Sequence, residues 1–187
     1  MQNESRYSLE NLKVFIIDDN RHMRRLLQSI LNALGVTDIA ESGNAVEAYE
    51  ALRDFEADVV IVDWHMKPMN GIEFVRKVRN SDDSFNQYVP IIMLSGYADI
   101  DRITEARDTG VNEFMAKPIS GAALYKRFLS IIEHPRPFVR TRSYFGPDRR
   151  RQKLGPPKGR PERRKDERKE NKSRAPLVTL PKATLSS

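Results

Sequence analysis

The stretch that decides the fold is VVIVDWHMKPMNG, residues 59–71. Val59, Val60, Ile61 and Val62 run without interruption into Asp63, and a turn closes at Gly71. Four consecutive aliphatic residues are the mark of a strand buried on both faces. A carboxylate at the edge of such a core costs free energy unless another group compensates it. The compensating groups have to come from elsewhere in the chain.

Outward from this strand the sequence alternates. Leu12–Ile17 is an apolar, β-branched run of strand length. Asn20–Leu34 carries Met23, Leu26, Leu27, Ile30, Leu31 and Leu34 at helical spacing, and Gly35 stops it. Asp38–Glu41 is a weak short strand and Ala45–Phe55 a second helix. After the central strand, Asp58–Asp63, a third helix spans Gly71–Arg79. Val89–Ser95 is the fourth strand, with Pro90 where a missing N–H is tolerated. Ile100–Thr109, Glu113–Ala116 and Gly121–Glu133 read as helix, strand and helix. The pattern is (βα)5, an α/β domain with a parallel sheet covered on both faces through right-handed crossovers. In such sheets ligands sit beyond the carboxyl ends of the strands.

What stands at those ends is specific. Asp18 and Asp19 follow the first strand, Asp63 closes the third, Ser95 the fourth, and Lys117 follows the fifth. Singly, each is an ordinary cap or turn residue. Together they bring three carboxylates, a hydroxyl and an ammonium to one rim. Carboxylates so close raise one another's pKa values. A hard divalent cation such as Mg2+, which takes oxygen ligands, relieves the repulsion, and Lys117 offsets more of it. A remaining carboxylate oxygen is then a nucleophile able to accept a phosphoryl group.

Composition bounds the rest. The 187 residues are 39% hydrophobic and contain no cysteine, which excludes disulfides, thiolate metal sites and a cysteine nucleophile. His22, His65 and His134 lack metal-ligand spacing. No apolar run reaches the ~20 residues needed to span a bilayer, and the polar start MQNESRYSLEN has no signal-peptide core. A soluble, cytoplasmic protein is expected. The net charge of +6 hides a division: residues 1–134 carry 15 Lys or Arg against 21 Asp or Glu, a net of −6, and residues 135–187 carry 17 against 5, a net of +12. Eight of the 11 prolines lie in the second part.

The stretches VFIIDDN, VVIVDWHMKPMNGIEFVRKVR, VPIIMLSGYA and GVNEFMAKPI, in this order, resemble the receiver domain of a two-component response regulator over residues 8–134. The likeness is to single-domain regulators of the chemotaxis type. It implies a flavodoxin-like sheet of order 2-1-3-4-5 and a signalling switch phosphorylated on Asp63 by a sensor histidine kinase or a histidine phosphotransfer protein. By the same likeness Asp19, Asp63 and the His65 backbone carbonyl bind Mg2+, and Asp18 acts through water. Ser95 and Lys117 hold the phosphoryl group, and Phe114 turns inward as Ser95 moves. His65 and Tyr97 tune the lifetime of the phosphoryl group. The face of helix 4, strand 5 and helix 5 then meets an unknown downstream protein. The protein is expected to catalyse only its own phosphoryl transfer and slow self-dephosphorylation. Two departures stand out: Lys67-Pro68 replaces a proline at the first of those positions, and Phe114 replaces a tyrosine.

Three rival readings are weaker. A phosphatase using an aspartyl-phosphate intermediate carries a second Asp two residues after the nucleophile, where His65 stands. A receiver that binds without being phosphorylated sits badly with five intact landmarks. A DNA- or nucleic-acid-binding response regulator acting through the basic tail needs a reading unit, and residues 135–187 show no helix-turn-helix pattern. Their basic, Pro-rich composition is that of a disordered extension, with a possible anionic partner. Phe138, Tyr144 and Phe145 interleave with arginines, so RPFVRTRSYFGPDRRR is the expected contact segment.

Overall fold

The computed structural model describes residues 7–97, 99–142 and 144–149. Five strands and five helices alternate: β1 (Lys13–Ile17), α1 (Arg21–Ala33), β2 (Asp38–Ser42), α2 (Ala45–Phe55), β3 (Val59–Asp63), α3 (Gly71–Asn80), β4 (Ile91–Ser95), α4 (Ile100–Thr109), β5 (Glu113–Ala116) and α5 (Gly121–Glu133). The strands are parallel, in the order β2-β1-β3-β4-β5. The alternating pattern predicts the parallel (βα)5 sheet, and its flavodoxin-like order is the one the family resemblance implies. Among the described residues no helix is long and apolar enough to cross a membrane.

The two-residue period of a strand divides the core. Phe15, Ile17, Val60, Val62, Ile91 and Met93 face one cluster, which α2 and α3 complete with Tyr49, Leu52, Phe74, Val75 and Val78. Val14, Ile16, Val59, Ile61, Ile92 and Leu94 face the other, closed by Leu27 and Leu31 of α1 and Leu124 and Phe128 of α5. Each helix starts on a side-chain cap: Asn20, Asn44, Asn70, Asp99 and Ser120. Asn70 and Glu73 form a reciprocal capping box. Such caps hold the short β-to-α turns, and therefore the rim, in fixed conformations.

The extension does not begin at residue 135 as expected. Residues 138–142 and 144–149 lie against the domain, and of the expected disordered tail Ser143 and residues 150–187 lie outside the described residues. β6 (Phe138–Arg140) and β7 (Phe145–Pro147) pair antiparallel. Their aromatic side chains are not available for an external contact. Phe138, Tyr144 and Phe145 are buried. Tyr88 packs at 5.1 Å from Phe138 and 5.2 Å from Phe145, between ring centroids.

Under this hairpin lies Arg79, fully buried at the end of α3. Its guanidinium donates to the Gly110 and Gln87 carbonyls at 3.0 and 2.8 Å and to Asn112 Oδ1 at 3.0 Å. Phe138 lies across it at 5.1 Å. Burial pulls its pKa down to about 9, which leaves it cationic at neutral pH. The Gly110 carbonyl at the carboxyl end of α4, the Gln87 carbonyl before β4 and the Asn112 amide oxygen supply the compensation that a carboxylate otherwise would. The hairpin is thus the lid of a polar core site, which a composition count cannot reveal.

The lid contributes to stability. Phe145→Ala should cost about 3 kcal/mol in urea unfolding, and a chain of residues 1–149 should unfold at higher urea than one of 1–134. Equal midpoints for the two truncations would show that the hairpin is not part of the folded domain.

Candidate functional site

Neighbouring strands β1 and β3 bring Asp18, Asp19 and Asp63 together. One carboxylate oxygen from each lies within 4.8 Å of the others. Asp18 and Asp63 are buried and Asp19 is exposed. The Lys117 ammonium spans the two buried groups, 2.7 Å from Asp63 Oδ1 and 2.9 Å from Asp18 Oδ2. The second oxygen of each accepts a backbone N–H: Asp18 Oδ1 from Asn20 at 2.8 Å, and Asp63 Oδ2 from His65 at 2.8 Å.

Three carboxylates against one ammonium leave excess negative charge in a partly desolvated place. Burial raises the pKa of Asp63, and Asp18 pushes it the same way against the pull of Lys117 and the His65 N–H. Burial opposes the charge on Lys117, yet its hydrogen bonds to Asp63 and Asp18 outweigh this and raise its pKa too. Both groups therefore hold their protons more firmly, as expected where negative charge is in excess. The donor set is all oxygen, small and anionic, and fits a hard divalent cation.

The remaining expected residues fall around this centre. Ser95 is fully buried at the end of β4, and its Oγ accepts the Tyr97 N–H at 3.1 Å. The Lys117 N–H donates to the Ser95 carbonyl at 2.8 Å, tying the ends of β4 and β5 together. Phe114 is half-buried and meets Trp64 edge-on at 6.5 Å. His65 is exposed in the loop after β3, with Tyr97 edge-on at 6.2 Å. The Lys67–Pro68 and Lys117–Pro118 bonds are cis.

Residues 14–129 match the response regulator receiver domain family. The chain belongs to that family. The receiver domain is similar to the chemotaxis protein CheY1 of Helicobacter pylori, 38% identical over 123 residues, which are 65% of this chain and 97% of that protein. CheY-3 of Vibrio cholerae is 31% identical over 124 residues, 66% of this chain and 94% of its own. The solved structure of Vibrio cholerae CheY4 superposes with a TM-score of 0.59 at 27% identity, spanning 64% of this chain and 98% of that one.

Two features of this receiver domain were not readable from the sequence. Arg102, in the first turn of α4, places its guanidinium 4.9 Å from the Tyr97 ring and 5.6 Å from the Trp64 ring. Its Nη1 lies 2.6 Å from His65 Nε2. Its Nε also pairs with Asp99, three residues back, at 3.3 Å, but nothing in the local sequence marks its contacts with the rings and His65, which are 5 to 38 residues away. Gly71 was legible as a turn, but its reason is tertiary. A Cβ there would stand 2.3 Å from the Asp63 carbonyl oxygen. The start of α3 is thereby pressed onto the backbone of the strand end, with the Gly71 N–H donating to the Trp64 carbonyl at 2.9 Å.

Gly71→Ala must displace either α3 or Asp63. We expect a loss of about 1–3 kcal/mol in unfolding free energy. Wild-type stability in that variant would show that the approach is not constraining.

Proposed function

We propose that the protein is a phosphorylation-dependent switch whose acceptor is Asp63. The observation that carries this reading is the three-carboxylate cluster bridged by Lys117. An Asp63 carboxylate oxygen attacks phosphorus as the N–P bond of a donor phosphohistidine breaks, and the imidazole departs with the bonding pair. The donor is a sensor histidine kinase or a histidine phosphotransfer protein. Asp19, Asp63 and the His65 carbonyl would hold Mg2+ directly, with Asp18 acting through water. Bound Mg2+ offsets the negative charge of the carboxylates and of the phosphoryl oxygens.

The chain's own groups do the rest. Lys117 stabilises the added charge from its place between Asp18 and Asp63. Ser95 Oγ turns from the Tyr97 N–H toward the phosphoryl oxygens, and Phe114 follows into the space beside Trp64. His65 and Tyr97 flank the entrance and set how readily water reaches the acyl phosphate. Turnover is confined to self-phosphorylation from donors and slow self-dephosphorylation. The downstream protein docks on the face of α4, β5 and α5, where Tyr97 and Ile100 are 63% and 74% exposed.

Acetyl phosphate with Mg2+ should add one phosphoryl group by mass spectrometry, and Asp63→Ala should add none. Trp64, buried beside the acceptor, should change its fluorescence when Mg2+ and then beryllium fluoride are added. Equal labelling of the variant, or labelling without metal, would reject the assignment of Asp63.

A further inference from the structure

α4 is lightly anchored for a helix of its length. Only Ala106 and Thr109 are buried along it, whereas α3, also ten residues, buries six. Elements with few buried contacts sit at the low end of local stability. Apart from Ala106 and an Arg76–Glu105 pair at 3.7 Å, what holds α4 is concentrated at its two ends. At its start, Arg102 pairs with the capping Asp99 at 3.3 Å, bonds His65 and covers Trp64 and Tyr97. At its finish it meets the hairpin. Arg149 pairs with Asp108 at 3.1 Å, and a Cβ on Gly146 would lie 2.9 Å from the Gly110 Cα. The Gly110 carbonyl in turn receives Arg79 from below the hairpin.

We infer that α4 acts as a rod linking the state of Asp63 to the docking of the C-terminal hairpin, with Arg102 as the residue that senses the phosphoryl charge. The inference rests on the reading of Asp63 as phosphoacceptor. His65 already joins the two: its N–H binds Asp63 Oδ2 and its ring nitrogen meets Arg102. A phosphoryl group adds about two negative charges beside them. A phosphoryl group, with about two negative charges and three acceptor oxygens, draws a guanidinium more strongly than the single Asp99 carboxylate and the His65 ring that now hold it. Arg102 therefore shifts toward the acceptor and carries the first turn of α4 with it. Ten residues of helix transmit the displacement over about 15 Å. The far end has no slack, because Gly110 and Gly146 approach with no side chain between them and close-packed contacts do not stretch. The hairpin loosens, and with it the root of the basic segment that starts at Arg149. Coupling of this kind is reciprocal: loosening the hairpin must alter ligand affinity at Asp63 by the same factor.

The test uses the full chain, Mg2+ and beryllium fluoride. Occupancy is followed by fluorine NMR and the hairpin by hydrogen exchange at the Thr141 and Asp148 amides, whose hydrogen bonds to Tyr144 and Pro137 close it. Saturation should speed exchange at both amides about fivefold or more. Arg102→Ala should bind the mimic yet lose the response. Gly146→Ala, which weakens docking without touching the site, should shift the half-saturating concentration of the mimic by a comparable factor. Unchanged exchange at proven saturation overturns the coupling. Unchanged mimic affinity in Gly146→Ala, with its hairpin exchange already fast, overturns it as well. If fluorine NMR shows no bound mimic at all, the phosphoacceptor reading fails, and the coupling falls with it.

Discussion

The Lys117 ammonium between Asp18 and Asp63 is the contact on which the rim depends. Asp18 and Lys117 are 99 residues apart in sequence, and the carboxylates it joins are buried. Two buried carboxylates side by side would repel, and one would take up a proton. With Lys117 between them and a backbone N–H on each outer oxygen, both stay in place as oxygen donors. The ion pair is not there for stability, since burying charges returns little net free energy. It holds apart two groups whose shared negative charge is what invites a cation and a phosphoryl group.

Strand order makes that contact possible. β1 and β3 are adjacent in the sheet although α1, β2 and α2 lie between them in the chain. Their carboxyl ends therefore place Asp18, Asp19 and Asp63 side by side. Lys117 must reach across from beyond β4, and the register permits it. Asp63 pairs with Leu94, Ser95 pairs with Ala116, and Lys117 is the next residue. A slip of one residue in β5 would turn Lys117 to the other face. Gly71 closes the arrangement from the side, because only a glycine lets α3 start against the Asp63 carbonyl.

The sheet and rim were legible because their signals are local and strong. β3 and β4 read as unbroken aliphatic runs, caps mark the helix starts, and the site residues fall immediately after strand ends. Asp63, Lys117 and Ser95 could be found by position alone. The hairpin could not. Its strands are three residues each and hold Gly146 and Pro147, both poor strand formers, amid arginines. Composition pointed to an unstructured arm, yet the hairpin packs on Tyr88, Arg79 and Gly110, far away in sequence. The one local clue was three aromatics, Phe138, Tyr144 and Phe145, within eight residues of an otherwise polar segment. They were readable as contacts for a partner, and the partner is the chain's own domain. Arg102 was hidden for the same reason, since a guanidinium over two rings is a fact of the folded chain only.

Two of the domain's polar centres lie at opposite ends of its sheet, and they follow opposite electrostatic rules. At the carboxyl ends of the strands, clustered carboxylates share one ammonium and leave negative charge to be filled. Beside the amino ends of β4 and β5, the buried Arg79 cation is met by carbonyl oxygens and an amide instead of a carboxylate. The first centre is open to solvent through Asp19, so a ligand can complete it. The second is capped by Phe138, so water cannot. α4 touches both, beginning at Arg102 beside the open centre and ending at Gly110, whose carbonyl is a ligand of the closed one. Because α4 has so little buried surface of its own, its position is set by these two ends. In the inferred coupling, a change in charge at the open end reaches the closed end, and the hairpin over it, through α4.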